Sequence, residues 1–162
     1  MHFISESAAI SSLCDLETSN RGSKLIVGEH SMIDAFVKVK FAGGSGDIAI
    51  GHHVFINSGT VIYSGNGVQI GDNALIAANC TFAPVNHAYR DRSRLIREQG
   101  FLPGKGGIIL EEDVWIGANC VILDGTHIGR GAVIGAGSLV RGTLEAYGIY
   151  AGNPLERRGA RS

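Results

Sequence analysis

An aliphatic residue recurs at every sixth position over most of this chain, and that period limits the possible folds more than any other feature. In the second half of the chain the aliphatic positions are Leu110, Ile116, Ile122, Ile128, Ile134 and Val140. Glycine often follows directly, and a small or β-branched residue lies four places on. A period of six is neither that of a helix nor that of an alternating strand. It is typical of a parallel β-helix, in which each coil buries its inner face on the next.

The hexads form blocks of three, and the breaks between the blocks all fall after a third hexad. The breaks separate Val39 from Ile50, Ile62 from Ile70, and Phe82 from Leu110. Fifteen hexads at three to a coil predict about five coils, with every insertion leaving from the same corner of a triangular prism. The insertion face of a solenoid is often its binding face.

The hexad pattern divides the chain into a regular middle and two irregular ends. We expect an N-terminal cap over residues 1–24, a β-helix over 25–146 with a loop at 84–107, and a C-terminal tail over 147–162. A solenoid needs its open end covered, which is the role expected of the cap. Stacking of the coils also predicts that Cys80 and Cys120 are neighbours, as free thiols in small core positions.

Composition excludes several classes of protein. The chain has 24 glycines, 3 prolines and a net charge of −1, which argues against disorder and against a nucleic-acid-binding surface. No apolar run reaches membrane-spanning length, and the first residues do not resemble a secretory leader. Three widely spaced cysteines are typical of reduced thiols, so we expect a cytoplasmic protein without membrane insertion.

The 84–107 loop carries the densest polar chemistry in the chain. His87 lies close to the last core residue before the loop, and an imidazole can accept a proton near neutral pH. We therefore predict that His87 is a general base. Tyr89, Arg90 and Arg92 follow it and are assigned to substrate binding, since arginine is a common partner of phosphate groups.

The remaining histidines give no metal site. His52, His53 and His127 are not accompanied by clustered acidic or cysteine ligands, and zinc needs ligands that converge. We predict that the protein uses no metal.

Four stretches resemble a known family: residues 86–92 (NHAYRDR), 113–119 (DVWIGAN), 134–140 (IGAGSLV) and 151–154 (AGNP). They resemble the left-handed β-helix, hexapeptide-repeat acyltransferases. Within these, they are most similar to the maltose and galactoside acetyltransferases and to the O-acetyltransferases of bacterial surface polysaccharides. The resemblance implies an all-β, left-handed parallel β-helix, a homotrimer with active sites between subunits, and acetyl-CoA as co-substrate.

The resemblance also assigns roles to residues. The catalytic histidine of the family corresponds to His87 and its active-site asparagine to Asn57. The family's acidic acceptor-binding position falls near Gly65, where this chain has no carboxylate, and Tyr63 or Ser64 is the expected replacement. The residues expected to contact acetyl-CoA are Trp115, Ala118, Ala136, Gly137, Arg141 and Arg158.

These observations predict an acetyl-CoA-dependent O-acetyltransferase. Its acceptor is expected to be a sugar, a nucleotide sugar or a lipid-linked glycan, as in lipopolysaccharide or other polysaccharide biosynthesis. One alternative is an N-acetyltransferase of an amino-sugar nucleotide, which would use the same fold and the same base. A γ-type carbonic anhydrase and a non-catalytic scaffold remain as further alternatives.

Overall fold

Strands of two to five residues form three sheets around one core in the computed structural model, which describes residues 1–162. The first sheet contains β1 (His2–Ile4), β4 (Leu25–Val27), β7 (Ile48–Ile50), β10 (Val68–Ile70), β13 (Ile108–Leu110), β16 (Thr126–Ile128) and β19 (Thr143–Leu144). The second contains β2 (Ala9–Ile10), β5 (Met32–Ile33), β8 (Phe55–Ile56), β11 (Leu75–Ile76), β14 (Trp115–Ile116), β17 (Val133–Ile134), β20 (Gly148–Ala151) and β21 (Glu156–Ala160). The third contains β3 (Asp15–Leu16), β6 (Lys38–Lys40), β9 (Val61–Tyr63), β12 (Thr81–Ala83), β15 (Val121–Leu123) and β18 (Leu139–Val140).

Successive strands visit the three sheets in turn, so three strands make one coil of a left-handed parallel β-helix. The structure confirms the fold expected from the hexads. The sheets define three corners: the first joins the first sheet to the second, the second joins the second to the third, and the third returns to the first. No helix of the chain has the length and apolarity needed to cross a membrane.

Equivalent aliphatic residues stack in columns, as the hexad register predicted. Ile33, Ile56, Ile76, Ile116 and Ile134 pair with one another along the second sheet, and each is at most 2% exposed. Because each coil covers the apolar face of the next, one core runs along the prism axis.

The first 24 residues differ from the expected cap. They form β1, β2 and β3, which pair in parallel with β4, β5 and β6 and so make a further coil. The missed signal is the spacing of Ile4, Ile10 and Leu16, which repeats at six. Ile10 and Leu16 are only partly buried because this terminal coil has a neighbour on one side alone.

The C-terminal residues extend the helix beyond residue 146, where the expected boundary was placed. Strand β20 pairs with β17 in the second sheet, and β21 folds back antiparallel onto β20. Arg161 Nη1 then donates to Asp113 Oδ2 at 2.8 Å and to the carbonyl of Gly131 at 3.0 Å. The chain end is thereby tied across the first corner.

Candidate functional site

The long connection 84–107 leaves the third corner between β12 and β13 and returns beside its own start. His87 forms an antiparallel bridge with Phe101. On either side of that bridge, the backbone N–H of Leu102 donates to Asn86 at 2.8 Å and that of Ala88 to Gly100 at 3.0 Å. This short ladder fixes the backbone of His87 next to the rigid coils, as a positioned catalytic side chain requires.

The imidazole of His87 is exposed and lies between two cavities. Its ring centroid is 4.5 Å from that of Phe101, with the planes tilted by 34°. One cavity, of about 490 Å³, is polar; the other, of about 300 Å³, is mostly apolar. A base in this position can reach ligands that enter from either cavity.

The larger cavity is rich in unpaired cations. It is lined by Asn86, His87, Tyr89, Arg90, Leu102, Lys105, Leu123, Asp124 and Arg141. The ion pairs of the chain leave Arg90, Lys105 and Arg141 without a carboxylate partner. Free cations around one cavity attract anionic groups such as phosphates.

Asp124 was not singled out from the sequence, yet it anchors the end of the loop. Its carboxylate accepts the backbone N–H groups of Lys105 at 2.8 Å and Gly107 at 2.9 Å, and the side-chain amide of Asn66 at 3.1 Å. Asp124 is 7% exposed, so these bonds replace the water that a buried carboxylate would lose. The only sequence signal was a carboxylate in the shortened Asp124-Gly125 turn.

Other predicted site residues lie at the second corner. Asn57 is half-buried there, in the turn after β8, and Ala118, Ala136 and Gly137 occupy the equivalent turns of later coils. Trp115 lies on the neighbouring outer face of the second sheet and is 52% exposed. Within one chain, therefore, Asn57 and this group are at a different corner from His87.

The acceptor residues predicted next to Gly65 have different environments. Tyr63 is 36% exposed and lines the apolar cavity. Ser64 is fully buried, and its hydroxyl has no hydrogen-bond partner, so the expectation that it contacts substrate is wrong. Alternation along β9 turns neighbouring side chains to opposite faces, which places Ser64 inward when Tyr63 faces outward.

The predicted arginines separate in the same way. Arg90 and Arg141 line the polar cavity, whereas Arg92 is exposed and lines neither cavity beside His87. Arg158 lies in β21 and pairs with Glu156 at 3.0 Å. Tyr89 lines the polar cavity, as a substrate-binding role requires.

The buried thiols lie in the core and away from both cavities. Cys80 and Cys120 are free cysteines, and their thiols donate to the carbonyls of Gly117 and Gly135, each at 3.2 Å. The hydrogen bond with the Cys120 sulfur, together with burial, raises the pKa of Cys80. No group of three or more His, Cys, Asp or Glu side chains is arranged to hold a metal ion.

Two segments of the chain match known repeat families. Residues 107–142 match the family described as bacterial transferase hexapeptide (six repeats), and residues 47–81 match the hexapeptide repeat of succinyl-transferase. Both segments lie within the coils, on either side of the long loop.

Several characterised proteins are similar over most of the chain. The galactoside O-acetyltransferase of Escherichia coli K12 is 36% identical over 79% of this chain and 60% of its own length. The putative lipopolysaccharide biosynthesis O-acetyl transferase WbbJ of the same strain is 31% identical over 85% of this chain and 69% of its own. The chain spans between about half and two thirds of the length of the curated relatives it matches.

A solved structure extends the likeness to three dimensions. AntD, an N-acyltransferase from Bacillus cereus, was crystallised with coenzyme A and dTDP-4-amino-4,6-dideoxyglucose. It is 26% identical, with a TM-score of 0.82, over 98% of this chain and 83% of its own.

Proposed function

This chain belongs to the hexapeptide-repeat acyltransferases, and on that premise we propose that it transfers the acetyl group of acetyl-CoA to a hydroxyl of a sugar. The observation that carries the proposal is the position of His87, on a braced loop base between a cationic cavity and an apolar one. Donor and acceptor need such a meeting point, because direct transfer requires both at one base.

His87 acts as the general base in this proposal. It takes the proton of the acceptor hydroxyl as that oxygen bonds to the thioester carbonyl carbon. The carbon–sulfur bond then breaks, and the proton passes to the departing sulfur, which leaves as the thiol of CoA. No covalent enzyme intermediate is needed, in keeping with the core position of Cys80 and Cys120.

The site proposed for acetyl-CoA combines residues of two corners. Arg90, Lys105 and Arg141 next to His87 supply cations for an anionic ligand. Trp115 and the turns at Ala118, Ala136 and Gly137 offer exposed surface on the second sheet and second corner. We propose that a neighbouring subunit brings its second corner to the third corner of the first, in a homotrimer with three shared sites.

Asn57 is proposed to complete that shared site. Its amide N–H donors suit the negative charge that develops on the thioester oxygen, and such donors are worth most where water is excluded. An approaching subunit supplies that exclusion, because the second corner of a single chain is open to solvent.

O-transfer to a sugar is favoured by the galactoside O-acetyltransferase and by WbbJ, a putative lipopolysaccharide biosynthesis enzyme. N-transfer to an amino-sugar nucleotide is the second candidate, because AntD, an N-acyltransferase, matches nearly the whole chain. His87 would serve both reactions.

The test is thiol release from acetyl-CoA by the purified protein, with sugars, amino sugars and their nucleotide derivatives as acceptors. We expect release that depends on an acceptor and falls by about 100-fold or more in His87→Ala. His127→Ala is the matched control, because His127 is also an exposed histidine but lies on the first sheet, paired with Glu111 at 2.8 Å. A full rate in His87→Ala would remove His87 as the base, and products with an O- or N-linked acetyl group distinguish the two candidates.

A further inference from the structure

The smaller cavity beside His87 presents almost no polar group. It has a volume of about 300 Å³ and is lined by Ala42, Gly43, Tyr63, Ala83, Val85, His87 and Phe101. Among these side chains only the hydroxyl of Tyr63 and the imidazole of His87 can form hydrogen bonds. The volume is at the lower end of small-molecule sites, so it suits a single ring.

The surrounding coils keep the cavity apolar. Gly43 has a φ of +80°, and a Cβ there would lie 2.7 Å from the side chain of Val85, so no side chain can enter from this position without displacing Val85. Lys40 is the strand neighbour of Tyr63, but its ammonium is held 2.6 Å from Asp15 Oδ2. The one cation beside this strand position is therefore neutralised by a partner.

Aromatic surface is exposed at the mouth of this cavity. Phe101 is 47% exposed and Tyr63 is 36% exposed, although both rings could bury large apolar areas. Exposed rings around a concave site are a common mark of ligand binding. A flat ligand with an apolar face, such as the C–H face of a pyranose, would cover them.

We propose that this cavity binds the acceptor and selects an uncharged deoxy sugar, whose apolar edge contacts Val85 and Phe101 while its nucleophile faces His87. The proposal rests on the proposed function and narrows its acceptor class. A hydroxyl buried against Val85 would lose its hydrogen bonds to water without replacement, which weakens binding by about tenfold or more. A carboxylate in that place is excluded more strongly, because no cation in the lining could pair with it.

The rival occupant is a long acyl tail on the donor. The cavity is open to solvent and bordered by exposed rings, whereas an acyl tail gains most from a closed apolar pocket. The acceptor therefore fits the observed shape better.

The experiment compares sugars that differ only at C6: D-fucose, D-galactose and D-galacturonate, and their dTDP- or UDP-linked forms. Binding to the full-length protein is measured by saturation-transfer NMR, and acetyl transfer by thiol release. We expect D-fucose to bind about tenfold or more tightly than D-galactose, with no detectable binding of D-galacturonate.

Two variants test the cavity itself. Phe101→Ala should remove the preference for D-fucose and raise the acceptor KM, while the KM for acetyl-CoA stays within about twofold. Leu95→Ala is the matched control, because Leu95 is in the same loop and 57% exposed but lines neither cavity. Since Phe101 also contacts His87, Val85→Thr gives a second measure: its added hydroxyl should shift the preference several-fold toward D-galactose.

Equal or tighter binding of D-galactose or D-galacturonate would overturn the proposal, as would an unchanged preference in both cavity variants. Loss of activity toward butyryl-CoA alone in Phe101→Ala would also overturn it and assign the cavity to the acyl tail. Preferred binding of D-fucose without acetyl transfer to any acceptor would support the cavity assignment and contradict the proposed function, so the two failures are distinguishable.

Discussion

The second and third corners of the prism differ more than any other equivalent parts of the molecule. Turns at the second corner keep one short length in successive coils, such as 57–60, 77–80 and 117–120. Connections at the third corner range from the two residues Asp124 and Gly125 to the long segment 84–107. Pairing nevertheless stays in register across that segment, with Phe82 opposite Ile122. Because each coil contacts only its neighbours, one corner can vary while the other two hold the fold.

The largest effect is expected in the regular part of the coils. Ile116→Ala should lower the free energy of unfolding by about 2–5 kcal/mol, because Ile116 is fully buried and the coils cannot collapse around the cavity. Urea denaturation would measure the change. Leu75→Ala is the control, since Leu75 is 51% exposed on the second sheet, and an equal loss there would contradict the view that the inner column carries the stability.

The next effect tests whether the two corners meet across subunits. His87→Ala and Asn57→Ala should each lose activity, by about 100-fold or more for His87, without a comparable loss of stability. When the two variants are unfolded and refolded together at equal amounts, about one quarter of the shared sites regain both residues. Recovery of acetyl transfer near that fraction would support sites between subunits. No recovery, despite mixed oligomers, would place both residues in one chain's site.

A smaller effect is expected at the anchor of the long loop. Asp124→Asn should weaken the hydrogen bonds to Lys105 and Gly107, at a cost of about 1–3 kcal/mol in local opening. Hydrogen exchange at these two amides would measure it, with unchanged exchange in the inner strands. Asp34→Asn is the control, because Asp34 accepts only from the adjacent Ala35 N–H and is exposed. Faster exchange throughout the coils would show that the loop and the scaffold are coupled.

The smallest effect concerns the tip of the loop in acid. Hydrogen bonds from the side chain and the backbone N–H of Ser93 lower the pKa of the Asp91 carboxyl. Their contribution is therefore fully present above the ordinary value of about 3.9 and is lost as pH falls through the lowered pKa. We expect cleavage by an acid protease to begin in the loop over this range while the coils stay resistant. Asp91→Asn should reduce the pH dependence, and cleavage of the coils first would contradict the contrast between the two regions.

The sequence was most informative where one residue type has one geometric role. The hexads predicted the columns of Ile56, Ile76 and Ile116 because an inner position admits only an apolar side chain. The same rule failed at Ile4, Ile10 and Leu16, because a polar outer surface obscures the period in a terminal coil. It also failed at Ser64, where a small polar residue occupies an inner position.

The candidate site was less predictable than the coils. A loop histidine after a core hexad indicated His87, but the partners of that histidine are distant in sequence. Phe101 reaches it through the antiparallel return of the loop, and Asp124 through the third corner of the next coil. Nothing in the local sequence of Asp124 specifies which backbone N–H groups it accepts.

The sequence by itself determined the β-helix, the corner that carries the insertions and the residue most suited to act as a base. These follow from a period of six and from side-chain chemistry, both of which are local. The tertiary structure decided that His87 lies between a cationic and an apolar cavity, and that Asn57 and Trp115 lie away from it in a single chain. Such relations depend on how a long loop folds back and on which corner each coil presents, and contacts between distant residues set both.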